Sequence, residues 1–261
     1  MINVDLTGRA ELDDAAEGVG IGLVAPYDLV LDREYWRWLP DEASLYITRT
    51  HFLHLPVSVE MAHAVGDAEV VSRATRDLST AEPEVVVYAC TSGSFVGGLA
   101  GERKLREAME EAGARRAVTT SGALVEALDA LGVERLSVGT PYNAEVSERL
   151  SDFLGEAGRE VVSNAFLGLT GSIFRVRRET VMSLALAADH PDAEAVFLSC
   201  TNLRTLDVLE EASERLGKPV LSANQVTMWA ALRAAGLADE WTVPPAYPEW
   251  RSYHSGLDLS R

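Results

Sequence analysis

The 261-residue chain is 47% hydrophobic and carries 40 acidic against 23 basic residues, a formal net charge of −17. That balance repels a phosphate backbone and no basic stripe offsets it, so nucleic acid is excluded as a partner. No run reaches the ~20 apolar residues of a membrane span, and Met1-Ile2-Asn3-Val4-Asp5 lacks the plan of a signal peptide, so a soluble cytoplasmic protein without membrane contact is expected.

In chain order, Gly18-Val19-Gly20-Ile21-Gly22 comes first; it precedes the first strand instead of joining strand to helix, and is not read as a nucleotide loop. Apolar runs rich in Val, Ile and Leu then recur at 21–26, 44–50, 84–90, 115–120, 135–141, 159–166, 193–200 and 218–223. These are expected strands. Helices are expected between and after them, at 57–75, 97–113, 123–132, 143–158, 177–190, 205–217 and 226–236, several closed by glycine, as at Gly113, Gly132, Gly158 and Gly217. Alternating helices with nearly continuous apolar strands define an α/β class with parallel sheets covered on both faces. Tyr35, Trp36 and Trp38 are read as packing aromatics in preference to a flap over a cleft. His51, His54 and His63 lack the spacing of a metal site, and His190 and His254 have no identifiable partner. Pro244, Pro245 and Pro248 mark 241–251 as an irregular excursion.

An internal repeat sets the organisation. Ala25-Pro26-Tyr27-Asp28 matches Thr140-Pro141-Tyr142-Asn143, with the prolines 115 positions apart, and Ala89-Cys90-Thr91-Ser92 matches Ser199-Cys200-Thr201-Asn202, with the cysteines 110 apart. Landmarks in the same order at nearly the same offset imply a duplicated unit of about four strands. The expectation is two similar Rossmann-like, flavodoxin-like domains, 1–124 plus 226–261 and 125–225, each with a four-stranded parallel sheet. A pseudo-twofold would place the active site in the interdomain cleft, at the carboxyl ends of the strands.

Both cysteines fall at strand-to-helix junctions. Two are too few for a disulfide scaffold and form no close metal pair. Unpaired N–H groups at a helix start are expected to lower a thiol pKa and to bind a carboxylate. Backbone amides with Thr91, Ser92, Thr201 and Asn202 would stabilise an enolate-like intermediate without a metal. A buried cysteine is ordinarily an inert small hydrophobe; two at equivalent positions, each followed by Thr, point to chemistry.

On Pro26, Cys90-Thr91-Ser92-Gly93-Ser94, Thr140-Pro141-Tyr142-Asn143 and Cys200-Thr201-Asn202, the chain resembles the aspartate/glutamate racemase superfamily, and within it the maleate cis-trans isomerase and arylmalonate decarboxylase branch. The resemblance spans most of residues 20–236. It implies a cofactor-independent isomerase acting on a small carboxylic acid, with Cys90 as nucleophile, Cys200 as acid/base and Tyr142 bonded to substrate or intermediate. Substrate-binding positions would be Tyr27, Asp28, Thr91, Ser92, Gly93, Thr201 and Asn202, with no metal and no cofactor, and the quaternary arrangement would admit a homodimer.

Departures from the pattern matter. Maleate isomerases resemble one another in a Pro-Ser-Ser-Asn run where this chain has Pro26-Tyr27-Asp28-Leu29, and Gly168-Leu169-Thr170-Gly171-Ser172 offers no second binding Asn. Asp28 is therefore either a cleft carboxylate that would repel a dianion or a simple helix cap. The decarboxylases have Gly where Cys90 stands, which argues against simple decarboxylation. A racemase, an arylmalonate-type decarboxylase and a small-molecule-binding protein remain as alternatives.

Overall fold

A computed structural model describes residues 18–238. The 241–251 excursion and His254 lie outside the described residues. The first half runs β1 (Val19–Ala25), α1 (Asp32–Trp36), β2 (Ala43–Arg49), α2 (Val59–Val65), α3 (Ala68–Ser79), β3 (Val85–Tyr88), α4 (Thr91–Phe95), α5 (Gly98–Glu111), β4 (Ala117–Thr119) and α6 (Thr120–Leu131). The second runs β5 (Arg135–Thr140), α7 (Ala144–Glu156), β6 (Glu160–Phe166), a 3₁₀ turn (Ile173–Arg175), α8 (Arg178–Ala188), β7 (Ala195–Leu198), α9 (Leu206–Leu216), β8 (Val220–Ser222) and α10 (Ala223–Ala234).

Two four-stranded sheets result, ordered β2-β1-β3-β4 and β6-β5-β7-β8, and every pairing is parallel. The identical order makes β1 the counterpart of β5 and β3 the counterpart of β7, as the repeat in the sequence requires. β3 and β7 are central and buried along their whole length, which is why they read as unbroken apolar runs.

One core serves both sheets. Leu23 and Val87 of the first sheet, Val138 and Phe197 of the second, Leu124 of α6 and Met228 of α10 belong to a single buried cluster. Although α10 follows the last strand of the second sheet, it packs on α6, β3 and β4 of the first half as well as on β8. Thr227 donates to Thr120 at 3.0 Å across that contact. A second cluster under the other face of the first sheet joins Met61, Val65, Val71, Val86 and Tyr88 to Cys90.

Two local readings are corrected. The helix expected over 57–75 is broken: α2 ends at Gly66, and Asp67 caps α3 by accepting from the N–H groups of Glu69 and Val70. Gly66 lies so close to Gly93 that a Cβ there would sit 2.3 Å from the Gly93 carbonyl oxygen, so the break brings α2 against the Cys90 loop. The second correction concerns the stretch after Pro26, which forms the short helix α1. In it Tyr35 and the neighbouring Trp38 are buried as packing residues, while Trp36 is 43% exposed.

Candidate active site

The Pro-Tyr and Cys-Thr landmarks meet at one cavity of about 430 Å³ between the two sheets. Tyr27 and Asp28 reach it from the end of β1, Tyr142 from the end of β5, Cys90, Thr91 and Ser92 from the end of β3, and Cys200, Thr201 and Asn202 from the end of β7. Both thiols are free and buried. Val57, Met61, Val65 and Ile173 complete the lining. These four were not expected as site residues; their only trace in the sequence is the apolar stripe opening the 57–75 segment.

Around Cys90 the backbone is extended, with φ −138° and ψ 109°. Burial pushes its thiol pKa up, opposed by the Gly93 N–H, the Tyr88 hydroxyl and the Ser92 hydroxyl; the Asp28 carboxylate adds to the rise. The Ser92 oxygen is 4.0 Å from the sulfur. Gly93 stands behind the cavity wall, where a Cβ would lie 2.2 Å from the Tyr88 hydroxyl and 3.2 Å from the Cys90 sulfur. The position is therefore closed to any side chain. Tyr88, which donates to the Val65 carbonyl at 2.8 Å, escaped the sequence reading because its place at the end of an apolar run looks like packing.

Cys200 sits differently. Its φ is +92°, a region that L residues other than glycine seldom occupy. Its sulfur accepts from the Asn202 N–H at 3.4 Å. Burial pushes this thiol up to about 12, with the Asn202 N–H and the Tyr142 hydroxyl acting in the lowering direction and Asp28 and Cys90 in the raising one. The expectation of lowered thiol pKa values at helix starts is thus overturned for both cysteines. Desolvation outweighs the amides, because α4 has five residues and α9 begins only at Leu206.

Asn202 is reassigned. Its side-chain oxygen accepts from the Val30 N–H at 3.0 Å and its amide donates to the Asp28 carbonyl at 2.8 Å, so it clamps the loop after β1 instead of presenting its amide to a ligand. Thr201 donates to the Ala89 carbonyl at 3.1 Å, tying the Cys200 turn to the end of β3. Its counterpart Thr91 has a buried hydroxyl without a hydrogen-bond partner among the described residues, at the cavity wall. Such a group is left for a ligand to satisfy.

Asp28 caps no helix; α1 starts at Asp32 behind an N-cap Leu31 that has no side-chain bond. Its carboxyl lies at the cavity mouth, where partial burial holds it above the ordinary carboxylate range despite the Asn202 amide and Arg49. Arg49 donates to the Leu29 carbonyl at 2.6 Å, fixing the backbone of that loop. Tyr27 packs edge-on to Phe52 with centroids 5.3 Å apart. Among the described lining residues there is no Lys, Arg or His. A bound carboxylate would therefore be held by hydroxyls and backbone N–H groups beside an apolar wall.

Two parallel-sheet halves that each aim a strand-end thiol into one shared cavity define the molecule as a two-thiol α/β protein. Comparison with known proteins supplies the kinship. A family model described as arylmalonate decarboxylase matches residues 38–243, and the chain belongs to that family. Arylmalonate decarboxylase of Bordetella bronchiseptica is 39% identical over 156 residues, which cover 58% of this chain and 65% of that protein. Maleate isomerase of Alcaligenes faecalis is 28% identical over 225 residues, 83% of this chain and 87% of that one. Among solved structures, a Cys-to-Ser mutant of Nocardia farcinica maleate cis-trans isomerase with a covalently bound succinylcysteine intermediate superposes with a TM-score of 0.77 at 27% identity, covering 84% of this chain and 93% of that chain. The chain is an enzyme of the isomerase and decarboxylase branch of the aspartate/glutamate racemase superfamily. The alternative of a binder without turnover is thereby set aside.

Proposed function

We propose that the protein is a cofactor-independent isomerase of a small unsaturated carboxylic acid, with Cys90 as nucleophile and Cys200 as proton donor and acceptor. The observation that carries this reading is the convergence of two free thiols, from equivalent strand ends, on one cavity without a cationic side chain among its described lining residues. The Cys90 thiolate adds to one alkene carbon while the π electrons move to the carbon beside the carboxylate. The Cys200 S–H delivers its proton there, and the central bond, now single, rotates. Cys200 takes the proton back, the C–S bond breaks and the trans acid leaves with both thiols restored. A thiol pushed up to about 12 suits Cys200 to hold that proton at neutral pH. The hydroxyls of Thr91 and Tyr142 would face the carboxylate and the enolate formed from it. The covalent succinylcysteine in the Nocardia farcinica relative supports addition by a thiol. Two free thiols at one site also fit the reducing cytoplasm.

The test is a panel of cis-unsaturated small acids given to wild type, Cys90→Ser and Cys200→Ser. Both variants are expected to fold and to lose turnover, with a substrate-mass adduct on Cys90 in Cys200→Ser. Full activity in either variant overturns the mechanism. A second reading, racemisation with one thiol on each side of an α-carbon, is favoured by the apolar wall of Val57, Met61, Val65 and Ile173, which suits a saturated acid bearing an apolar substituent. Deuterium entering the α-carbon of such an acid in deuterated water, with no cis-trans activity on the panel, selects it.

A further inference from the structure

The repeat extends to a pair of carboxylates outside the cavity. Helices α1 and α7 occupy equivalent places, between β1 and β2 and between β5 and β6, and each carries a glutamate that caps a helix of the other half. On α7, Glu156 accepts from the Leu99 N–H at 2.8 Å, at the start of α5. On α1, Glu34 accepts from the N–H groups of Thr205 and Leu206, both at 2.9 Å, at the start of α9. Helices α5 and α9 are themselves equivalents, following β3 and β7. The caps are reciprocal but unequal. Glu156 is exposed, whereas Glu34 is 9% exposed and also accepts from the Thr205 hydroxyl and the Asn224 side-chain amide.

The inequality falls on the side of the strained thiol. Between Cys200 and α9 lie only Thr201 to Thr205, and Thr205 as N-cap supplies no side-chain bond of its own. That segment is held by the first half at three points: Thr201 on the Ala89 carbonyl, Asn202 on the loop after β1, and Thr205 with Leu206 on Glu34. A φ of +92° at a non-glycine residue persists only where its surroundings over-determine it. On the Cys90 side, α4 intervenes between the thiol and the helix that Glu156 caps.

We infer that Glu34 is the positioning residue of the second thiol: from the first half it fixes the end of the loop that sets the orientation of Cys200. The inference rests on Cys200 being a working thiol, and the experiment separates the two. Iodoacetamide labelling of each cysteine, followed by mass spectrometry, gives the Cys200-to-Cys90 rate ratio without any substrate. In Glu34→Ala the ratio is expected to shift about fivefold to tenfold, the size of a lost cap. In Glu34→Gln it stays within about twofold, because the amide oxygen still accepts from the two N–H groups and the unpartnered Asn224 Oδ1 can turn to meet the new amide. Glu156→Ala, the exposed equivalent, leaves the ratio unchanged. If Glu34→Ala does not fold, Glu34→Asp withdraws the carboxylate by one methylene and is expected to shift the ratio in its place. An unshifted ratio in folded Glu34→Ala or Glu34→Asp, or an equal shift in Glu156→Ala, overturns the assignment. Failure of the whole acid panel with wild type would instead refute the proposed reaction while leaving the labelling result to stand.

Discussion

Replacing Gly93 by Ala sets two effects of opposite sign against each other. Gly93 lies within α4, where alanine is favoured over glycine by about 1 kcal/mol, so propensity alone predicts a more stable protein. The geometry predicts the reverse. The new methyl would stand 2.2 Å from the Tyr88 hydroxyl, and that hydroxyl, buried and bonded to the Val65 carbonyl at 2.8 Å, has to move. Breaking the bond leaves a buried donor and acceptor unmatched, at about 1–3 kcal/mol. Forcing a methyl into a packed wall adds a further ~1–3 kcal/mol. The clash wins, with a net loss of about 1–5 kcal/mol once the propensity gain of about 1 is set against it. Urea denaturation of Gly93→Ala, Tyr88→Phe and the double variant measures it. The double variant is expected to recover part of the loss, since without the hydroxyl the nearest Tyr88 atom is the ring carbon 3.1 Å away. A Gly93→Ala protein at least as stable as wild type, or additive losses in the double variant, would refute the account.

Asp28 raises both thiols through its negative charge, so Asp28→Asn should move the pH dependence of Cys90 labelling to lower pH; a shift to higher pH, or none, contradicts the placement of this carboxylate. Backbone strain can be read from a comparison of two small residues. At position 200, where φ is +92°, glycine should give a protein about 1 kcal/mol more stable than alanine, whereas at position 90, where φ is −138°, glycine should be the less stable by about 0.5–1 kcal/mol. Thermal unfolding of the four variants checks this; the same sign at both positions would mean that Cys200 is unstrained.

The strands were legible because a central parallel strand buried on both faces leaves a continuous apolar run, as at Val85–Tyr88 and Ala195–Leu198. The site was legible because duplication repeated Pro-Tyr and Cys-Thr in register. What escaped depends on contacts that sequence spacing does not encode. The break at Gly66 comes from its approach to Gly93, a residue 27 positions later, and not from local propensity alone. Asn202 looked like a ligand because it follows a cysteine; only the fold reveals that the backbone of Asp28 and Val30 occupies its amide. The direction of the thiol shifts was misjudged for a related reason: the donors are local and visible in sequence, while the burial that outweighs them is a property of the closed cavity.

A duplicated gene ordinarily starts with two copies that could each survive alone, and divergence can make that independence expendable. Here the last helix of one copy has become part of the wall of the other, and a single apolar interior runs through both. Neither copy retains a surface suited to water on its inward side, so the repeat that is plain in the sequence has ceased to be a unit of folding. The two sulfurs inherit their alignment from that merger: a lesion anywhere in the common interior is transmitted to both, whichever half it strikes.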